Sequence, residues 1–455
     1  MTTTMTTLET LRVRADAVLA ARMPEHLERL HWDAERLAIH QRDRLRLLLR
    51  HASEHSPFHA RRLGSIDPDR FELCDLVRLP AMTKAEMMAA FDHVVTDRRL
   101  KLATVEAHVA ESGNEPSLLF DEYVCLASGG SSGLRGVFVQ RLSEFVEFGA
   151  SIMRPAMARQ RWSGAPGAGL VIGAVMAASP AHASGFGAAI LSGPVRFVPV
   201  PATLPIAGMV DRLNALRPPA LMGYPTKLAQ LAREQLAGRL AIAPRSVTVT
   251  SEQLTARDRT TITAAFGVPV VNQFASTEGL VGRSEPGGSV LTFATDMCIV
   301  ELADRENRSG ASDGASTRVF VTNLHNLTQP LIRYELTDCF VRYPCLPGSG
   351  YLRAEVEGRA DEVLRYGAVE VHPLVIATAM VTARHVVEYQ VTQTERGVDV
   401  AVVTDGPVDL QGLADAIERG IRQAGVVHAA AAVRKVNVIA RHPQTGKTRR
   451  FIPLE

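Results

Sequence analysis

Apolar residues recur at near-helical spacing through residues 8–63. Leu27, Leu30, Leu37, Ile39, Leu45, Leu47, Leu48 and Leu49 stand among Arg, Glu and Asp, which predicts helices that bury one face. Thr83-Lys-Ala-Glu86 has the form of a capping box and should open another helix. From about residue 123 to 340, short β-rich runs alternate with helical patterns. The runs Leu170–Val175, Val195–Val200, Val247–Thr250, Val268–Val271 and Arg318–Thr322 read as strands, and Arg141–Arg159, Ile206–Leu216, Thr226–Ala237 and Thr255–Phe266 as helices. Such alternation predicts an α/β domain with a mixed or largely parallel sheet. After Gly358 the pattern changes. Val386–Thr394, Val398–Thr404 and Val433–Ile439 look like strands and Val408–Ala424 like a helix, enough for a small α+β domain. The expected division is a large domain over 1–357 and a small, mobile one over 358–455. Their junction, Glu357–Asp361, is polar and short, as a hinge would be.

Length supports that division, because 455 residues exceed what a single core usually holds. Fifty basic and 48 acidic residues leave a net charge of +2, which argues against a nucleic-acid or anionic-membrane partner. Cys74, Cys125, Cys298, Cys339 and Cys345 are scattered and lack C-x-x-C spacing. They fit reduced, cytoplasmic thiols better than a disulfide framework or a zinc site. The start, M-T-T-T-M-T-T, has no basic segment followed by an apolar one and does not read as a signal peptide. The longest apolar run, Gly167–Ala178, is too short to span a bilayer and reads as a buried strand with its turns.

Five segments could support chemistry. Ser128 to Gly136 reads S-G-G-S-S-G-L-R-G after the apolar stretch Tyr123–Ala127. Glycines let backbone approach an anion, and hydroxyls and free N–H groups can bind its oxygens. A Walker loop is excluded because no lysine lies between Lys101 and Lys227, and G-x-G-x-x-G is absent. A polar surface turn fits the same residues. Val271–Gly279 reads V-N-Q-F-A-S-T-E-G at the end of an expected strand. Its aromatic ring could stack on a base, and Thr277 and Glu278 offer oxygen ligands to Mg2+, or Glu278 is simply solvated. In Gln329–Asp338 the aspartate could accept both hydroxyls of a ribose, or Arg333 could pair with Asp338. Glu357-Gly-Arg-Ala-Asp361 suits a hinge or an ordinary turn. Gln444–Arg450 carries Lys447 between Gly446 and Thr448, where the lysine could neutralise charge developing on a phosphate or sit in a basic turn.

In their order and spacing these segments resemble the adenylate-forming superfamily of acyl-CoA ligases and adenylation domains, and more closely its phenylacetate–CoA ligase branch. The resemblance runs from about residue 24 to 452. It includes Arg42–His59, Leu79-Pro-Ala-Met-Thr-Lys84, Gly223-Tyr224-Pro225 and Ser251-Glu252-Gln253-Leu254. It implies an ATP- and Mg2+-dependent activation of a small, aromatic or similarly compact carboxylic acid as acyl-AMP, followed by transfer to the thiol of CoA. Transfer to a stand-alone phosphopantetheinyl carrier protein in a biosynthetic pathway, from acyl-AMP or from acyl-CoA without ATP, is the alternative; a non-catalytic acyl-CoA or nucleotide binder is a third. A homodimer is compatible with each.

The resemblance also implies roles. Ser128, Gly129, Gly130, Ser131, Ser132 and Gly133 match the phosphate loop. Phe274 matches the adenine-stacking aromatic, flanked by Asn272 and Thr277, with Ser251 and Glu252 along the base. Glu278 would bind Mg2+, Asp338 the ribose and Arg359 the nucleotide. Lys447 would bridge acyl and phosphate oxygens during adenylation, and Asp361 would be the hinge. Phe138, Phe186, Gly223, Tyr224 and Ala275 would wall the acid pocket, a role that plain core packing could equally explain. The sequence departs from the family pattern at Gly129, Ser132, Arg135 and Gly136 of the loop, at Ala275 in place of a glycine, and at Glu335-Leu-Thr-Asp338, where only Thr and Asp are kept.

Overall fold

The computed structural model describes residues 7–111, 115–127, 136–162, 170–177, 179–191, 195–202, 204, 206–303, 315–316, 318–336, 338–359, 364–367, 369–371, 375–376, 379–380, 383, 385–404, 406–441 and 450–454. The leading helical pattern forms α1 (Thr7–Arg29), α2 (Ala34–His55) and α3 (Pro57–Leu63). Asp33 caps α2 through the Arg36 N–H, and Ser56 caps α3 through that of His59, each satisfying an orphan donor. The capping box at Thr83 opens α4 (Lys84–Ala89) as expected, with Thr83 and Glu86 exchanging bonds. After α5 (Phe91–Val94) and α6 (Leu102–Glu111), strands β1 (Tyr123–Ala127) and β2 (Val137–Arg141) form an antiparallel pair. Helix α7 (Leu142–Trp162) follows directly.

The remaining large-domain helices are α8 (Ala183–Ile190), α9 (Ile206–Leu216), α10 (Pro225–Leu236) and α11 (Ala256–Phe266). They alternate with β3 (Leu170–Val175), β4 (Val195–Pro199), β5 (Ala220–Gly223), β6 (Ser246–Thr250) and β7 (Val270–Ala275). These five strands are parallel, in the order β4-β3-β5-β6-β7. The chain leaves β3 toward β4 on one side and returns to β5 on the other, so the strand order reverses beside β3. Antiparallel strands β8 (Val281–Ser284), β9 (Leu291–Phe293), β11 (Ala315–Ser316), β14 (Asp338–Tyr343) and β15 (Arg353–Arg359) extend the same sheet to ten strands. Strands β10 (Cys298–Ala303), β12 (Arg318–Asn323) and β13 (Tyr334–Leu336) form a separate three-stranded sheet.

Both faces of the parallel sheet are covered. On one, Leu213, Leu228, Leu231 and Ile262 of α9, α10 and α11 pack on Val175, Leu221, Val247 and Val270. On the other, Leu11 and Leu19 of α1, Phe145 and Met153 of α7 and Ile190 of α8 meet Ile172 and Ala220. Burying each such side chain contributes roughly 1.5–3 kcal/mol, and double coverage explains why the strands read as continuous apolar runs.

The C-terminal segment forms a hairpin, β16 (Leu364–Tyr366) with β17 (Val369–Val371), and a four-stranded sheet. That sheet holds β18 (Val386–Thr394), β19 (Gly397–Thr404), β20 (Ala430–Lys435) and β21 (Phe451–Ile452), backed by α12 (Leu410–Gln423), whose Leu413, Ile417 and Ile421 join its core.

Two expected strands are displaced. The run expected at Val268–Val271 begins at Val270 and continues to Ala275. Pro269 cannot donate to a ladder, and β8 extends the far end by pairing Gln273, Phe274 and Ala275 with Arg283, Gly282 and Val281. The strand expected at Val433–Ile439 is β20, shifted toward the alanine run, because β19 aligns Gly397 with Ala430 and Val402 with Lys435. Helix α7 starts one residue later than expected, since Arg141 ends β2 and donates its N–H to Glu144 at 2.7 Å.

Candidate active site

A cavity of about 130 Å3 lies at the carboxyl ends of the parallel strands, where their order reverses. Open α/β sheets bind ligands at this position, outside the strand ends at the reversal of strand order. Met176 and Ala177 enter from the end of β3, Met222 and Tyr224 from β5, Thr250 and Ser251 from β6, and Ala275, Ser276 and Thr277 from β7. Phe148, Ile152 and Met153 of α7 and Leu191 beyond α8 close it with apolar surface. Gly223 is required just behind the wall, because a Cβ there would stand 2.5 Å from the Val175 carbonyl oxygen. Tyr224 is buried, and its hydroxyl oxygen accepts the Ala177 N–H at 3.0 Å.

The polar edge of this cavity is not self-satisfied. Thr226, in the first turn of α10, donates its N–H and hydroxyl to Glu252 Oε2 at 3.3 and 2.6 Å. Glu252 Oε1, Thr250 Oγ1 and Ser276 Oγ are buried without a hydrogen-bond partner among the described residues. Buried polar atoms are almost always paired; Thr250 and Ser276 line the cavity, so these two orphans point to a polar ligand, and Glu252 carries a third unpaired oxygen two residues beyond Thr250. Ser251 adds strain, with φ at +70°, a conformation that costs a non-glycine residue of order 1–3 kcal/mol and concentrates at functional sites.

Glu278 follows the end of β7 and is buried. Its carboxylate accepts the Tyr334 hydroxyl at 3.4 Å, and its carbonyl accepts Asn323 Nδ2 at 2.7 Å. Burial and Glu278 both push the Tyr334 hydroxyl far above its usual pKa, so it stays a donor. Gly279 has φ at +103° and lies against Asn323 and His325, leaving no room for a side chain. A single carboxylate beside Thr277 suits Mg2+, which keeps most of its waters and takes one or two protein carboxylates plus phosphate oxygens. Among the described residues no cluster of three metal-ligating side chains exists.

Phe274 is partly buried, with its ring edge-on to Phe293 and Phe340 at 5.8 and 5.7 Å; those two stack at 4.9 Å. The backbone N–H of Asn272 donates to Ser284 Oγ at 2.9 Å. Asp338 opens β14 and is the register partner of Arg359 at the end of β15. Arg333 pairs instead with Glu301 at 3.1 Å and donates to the Val77 and Leu79 carbonyls.

Among the anticipated acid-pocket residues, Tyr224 and Ala275 line the cavity. Phe138 lies in β2 and Phe186 in α8, both within the core, and Phe186 meets Phe145 edge-on at 5.2 Å. Ser128, Gly129, Gly130, Ser131, Ser132 and Gly133, with Asp361 and Lys447, lie outside the described residues. Ala127, the residue before that loop, does line the cavity, and His182 Nδ1 lies 3.3 Å from its carbonyl. Sequence reasoning missed Thr226, Tyr334 and Asn323. Only the Pro225 start of α10, which places Thr226 in a helical first turn facing strand ends, could have signalled one of them.

No protein-family model matches the chain. A 133-residue stretch is 29% identical to protein CapK of Staphylococcus aureus and covers 28% of this chain and 28% of that protein. The structure is similar to a 2-hydroxyisobutyryl-CoA ligase in the postadenylation state in complex with R3-HIB-AMP. The TM-score is 0.67 with 18% identity, over 91% of this chain and 88% of that one. Against the same ligase with 2-HIB-AMP and CoA in the thioesterification state, the TM-score is 0.57 with 17% identity, over 92% and 90%. ATP-bound MatB from Rhodopseudomonas palustris gives 0.50 with 16% identity, over 70% and 65%. The chain therefore has the fold of the adenylate-forming acyl-CoA ligases. Among the described residues no helix is long and apolar enough to cross a membrane.

Proposed function

We propose that this protein is an AMP-forming acid–thiol ligase. A carboxylate oxygen of a small acid attacks the α-phosphorus of ATP, the bond to the β-phosphate breaks, and pyrophosphate leaves. A thiolate, that of CoA, then attacks the acyl carbon and AMP departs. The observation that carries this reading is the pair of orphaned polar atoms, Thr250 Oγ1 and Ser276 Oγ, lining a cavity at the strand-order reversal, with Glu252 Oε1 also unpaired close by in the chain. The cavity's methionine and aromatic walls and its volume of about 130 Å3 suit a compact, aromatic acid.

Adenylation joins two anions, so positioning and charge neutralisation dominate the barrier. In this reading the Ser128–Gly133 loop cradles the phosphates, Phe274 stacks on adenine, and Asp338 with Arg359 holds the ribose side. Glu278 would hold Mg2+, which would screen the phosphate charge. Lys447 bridges the reacting oxygens and then leaves as the 358–455 domain turns about Asp361, which frees its space for the thiol.

Pyrophosphate release with ATP, across aryl and alkyl carboxylates with and without CoA, tests the function. Turnover with a compact aromatic acid, and thioester only with CoA, is the expected result. Thioester on a carrier protein instead would change the acceptor, and no turnover with any acid would defeat the ligase reading. Lys447→Ala should abolish adenylation while sparing thioester formation from supplied acyl-AMP; equal loss of both half-reactions would remove Lys447 from that role.

A further inference from the structure

A second and larger cleft opens between α1, α2 and the start of α7, with a volume of about 1130 Å3. It shares no lining residue with the acid cavity. That is ample for a small organic molecule, whose pockets run to roughly 300–1,000 Å3. His40, Arg44, His51 and His55 line one wall. Their spacing in α2 (i, i+4, i+11, i+15) puts all of them on one face at about 3.6 residues per turn.

Much of the charge around the cleft is neutralised internally. Asp296 receives both terminal nitrogens of Arg154 at 2.7 Å. Glu147 is held by Arg22 and by His26 at 2.7 Å, and Glu144 accepts three donors at 2.7 to 2.8 Å. Arg44 is different. It donates twice to the Leu324 carbonyl, at 3.2 and 2.8 Å, and makes no ion pair among the described residues. Burial, and then the repulsion of Arg29, lowers its pKa. Glu147 and Glu25 pull the other way without overcoming this, and both carboxylates are already held by other partners.

An independent observation points the same way. His325 lines this cleft, is only 8% exposed, and has its Nδ1 buried without a hydrogen-bond partner. Its ring lies parallel to that of Phe148, a wall of the acid cavity, at 6.3 Å. A cleft that offers a guanidinium without an ion pair, imidazoles on the same wall and an unsatisfied ring nitrogen suits an anion with several oxygens.

We propose that this cleft binds a small phosphate-bearing anion, with Arg44 as its charge partner and His51 and His55 of α2 as hydrogen-bond donors. Calorimetric titration of the full chain with inorganic phosphate and with tripolyphosphate tests it, in the wild type, Arg44→Gln and His51→Gln. The wild type should show one saturable site, weakened about tenfold in a folded variant, the loss expected for one charge-assisted hydrogen bond. Weakening in either variant supports the site. Absence of saturable binding, or affinity unchanged in His51→Gln and in any folded Arg44→Gln, would overturn it. The latter result would assign the bound anion to the nucleotide loop.

Discussion

Glu252 rests one carboxylate oxygen on Thr226 and leaves the other without a partner among the described residues, an acceptor that a ligand donor would satisfy. Asp338 is placed with comparable economy, at the first position of β14 and opposite Arg359. Asp338→Ala should weaken ATP binding by about 1.5–3 kcal/mol, the worth of hydrogen bonds to a charged group. Equilibrium titration with ATP reads this directly, and unchanged affinity would take Asp338 out of the site. Motif order is what singled out residues of this kind in the sequence. Tyr334 and Asn323 were not legible there, since their hold on Glu278 depends on β12 and β13 returning beside β7's end, a contact across some 45 and 56 positions of chain. Phe138 and Phe186 mark the opposite case, where residue type suggested a pocket wall and packing uses both rings as core.

At the level of elements, the alternation of runs announced the parallel sheet, and Leu170–Val175 and Ile206–Leu216 form with the expected bounds. The antiparallel extension, from β8 to β15, was less legible, because its short strands carry weak periodicity and are fixed by non-local pairing. How α1 joins the large domain was also hidden. It packs along α7, and its Arg29 reaches Asp296 at 3.4 Å, sharing that carboxylate with Arg154. Burial raises the Asp296 pKa, but the charge and bonds of Arg154, then Arg29, more than reverse this and hold it well below the usual range. Asp296→Ala would strand a fully buried guanidinium, so it should destabilise the fold by about 3–5 kcal/mol. Urea denaturation measures this; a loss under about 1 kcal/mol would show that the pair is dispensable.

Across the whole molecule, the described contacts tie the two parts together at α10. Gln230 Nε2 donates to Glu388 Oε1 of β18 at 2.5 Å, and Arg441 pairs with the same carboxylate. Lys227, one turn earlier on α10, is 6% exposed beneath this seam. Burial and then Arg441 drive its pKa down to about 8, against the pull of Glu388 and Glu252. If the small domain swings away, Lys227 regains water and loses Arg441, and its pKa returns toward the model-peptide value of 10.5. The open form then binds more protons than the docked one between those two values. Raising pH through that window should therefore favour docking, by at most about 1.4 kcal/mol per pH unit. Domain separation followed by fluorescence energy transfer from pH 7 to 10 would show the shift, and Lys227→Met should flatten it; a pH-independent separation in the wild type would refute the linkage. On that expectation, acidity outside the protein would become an input to its posture. A swing that exchanges a proton with the medium makes the joint a chemical gauge as well as a mechanical one, read at the helix that holds Glu252.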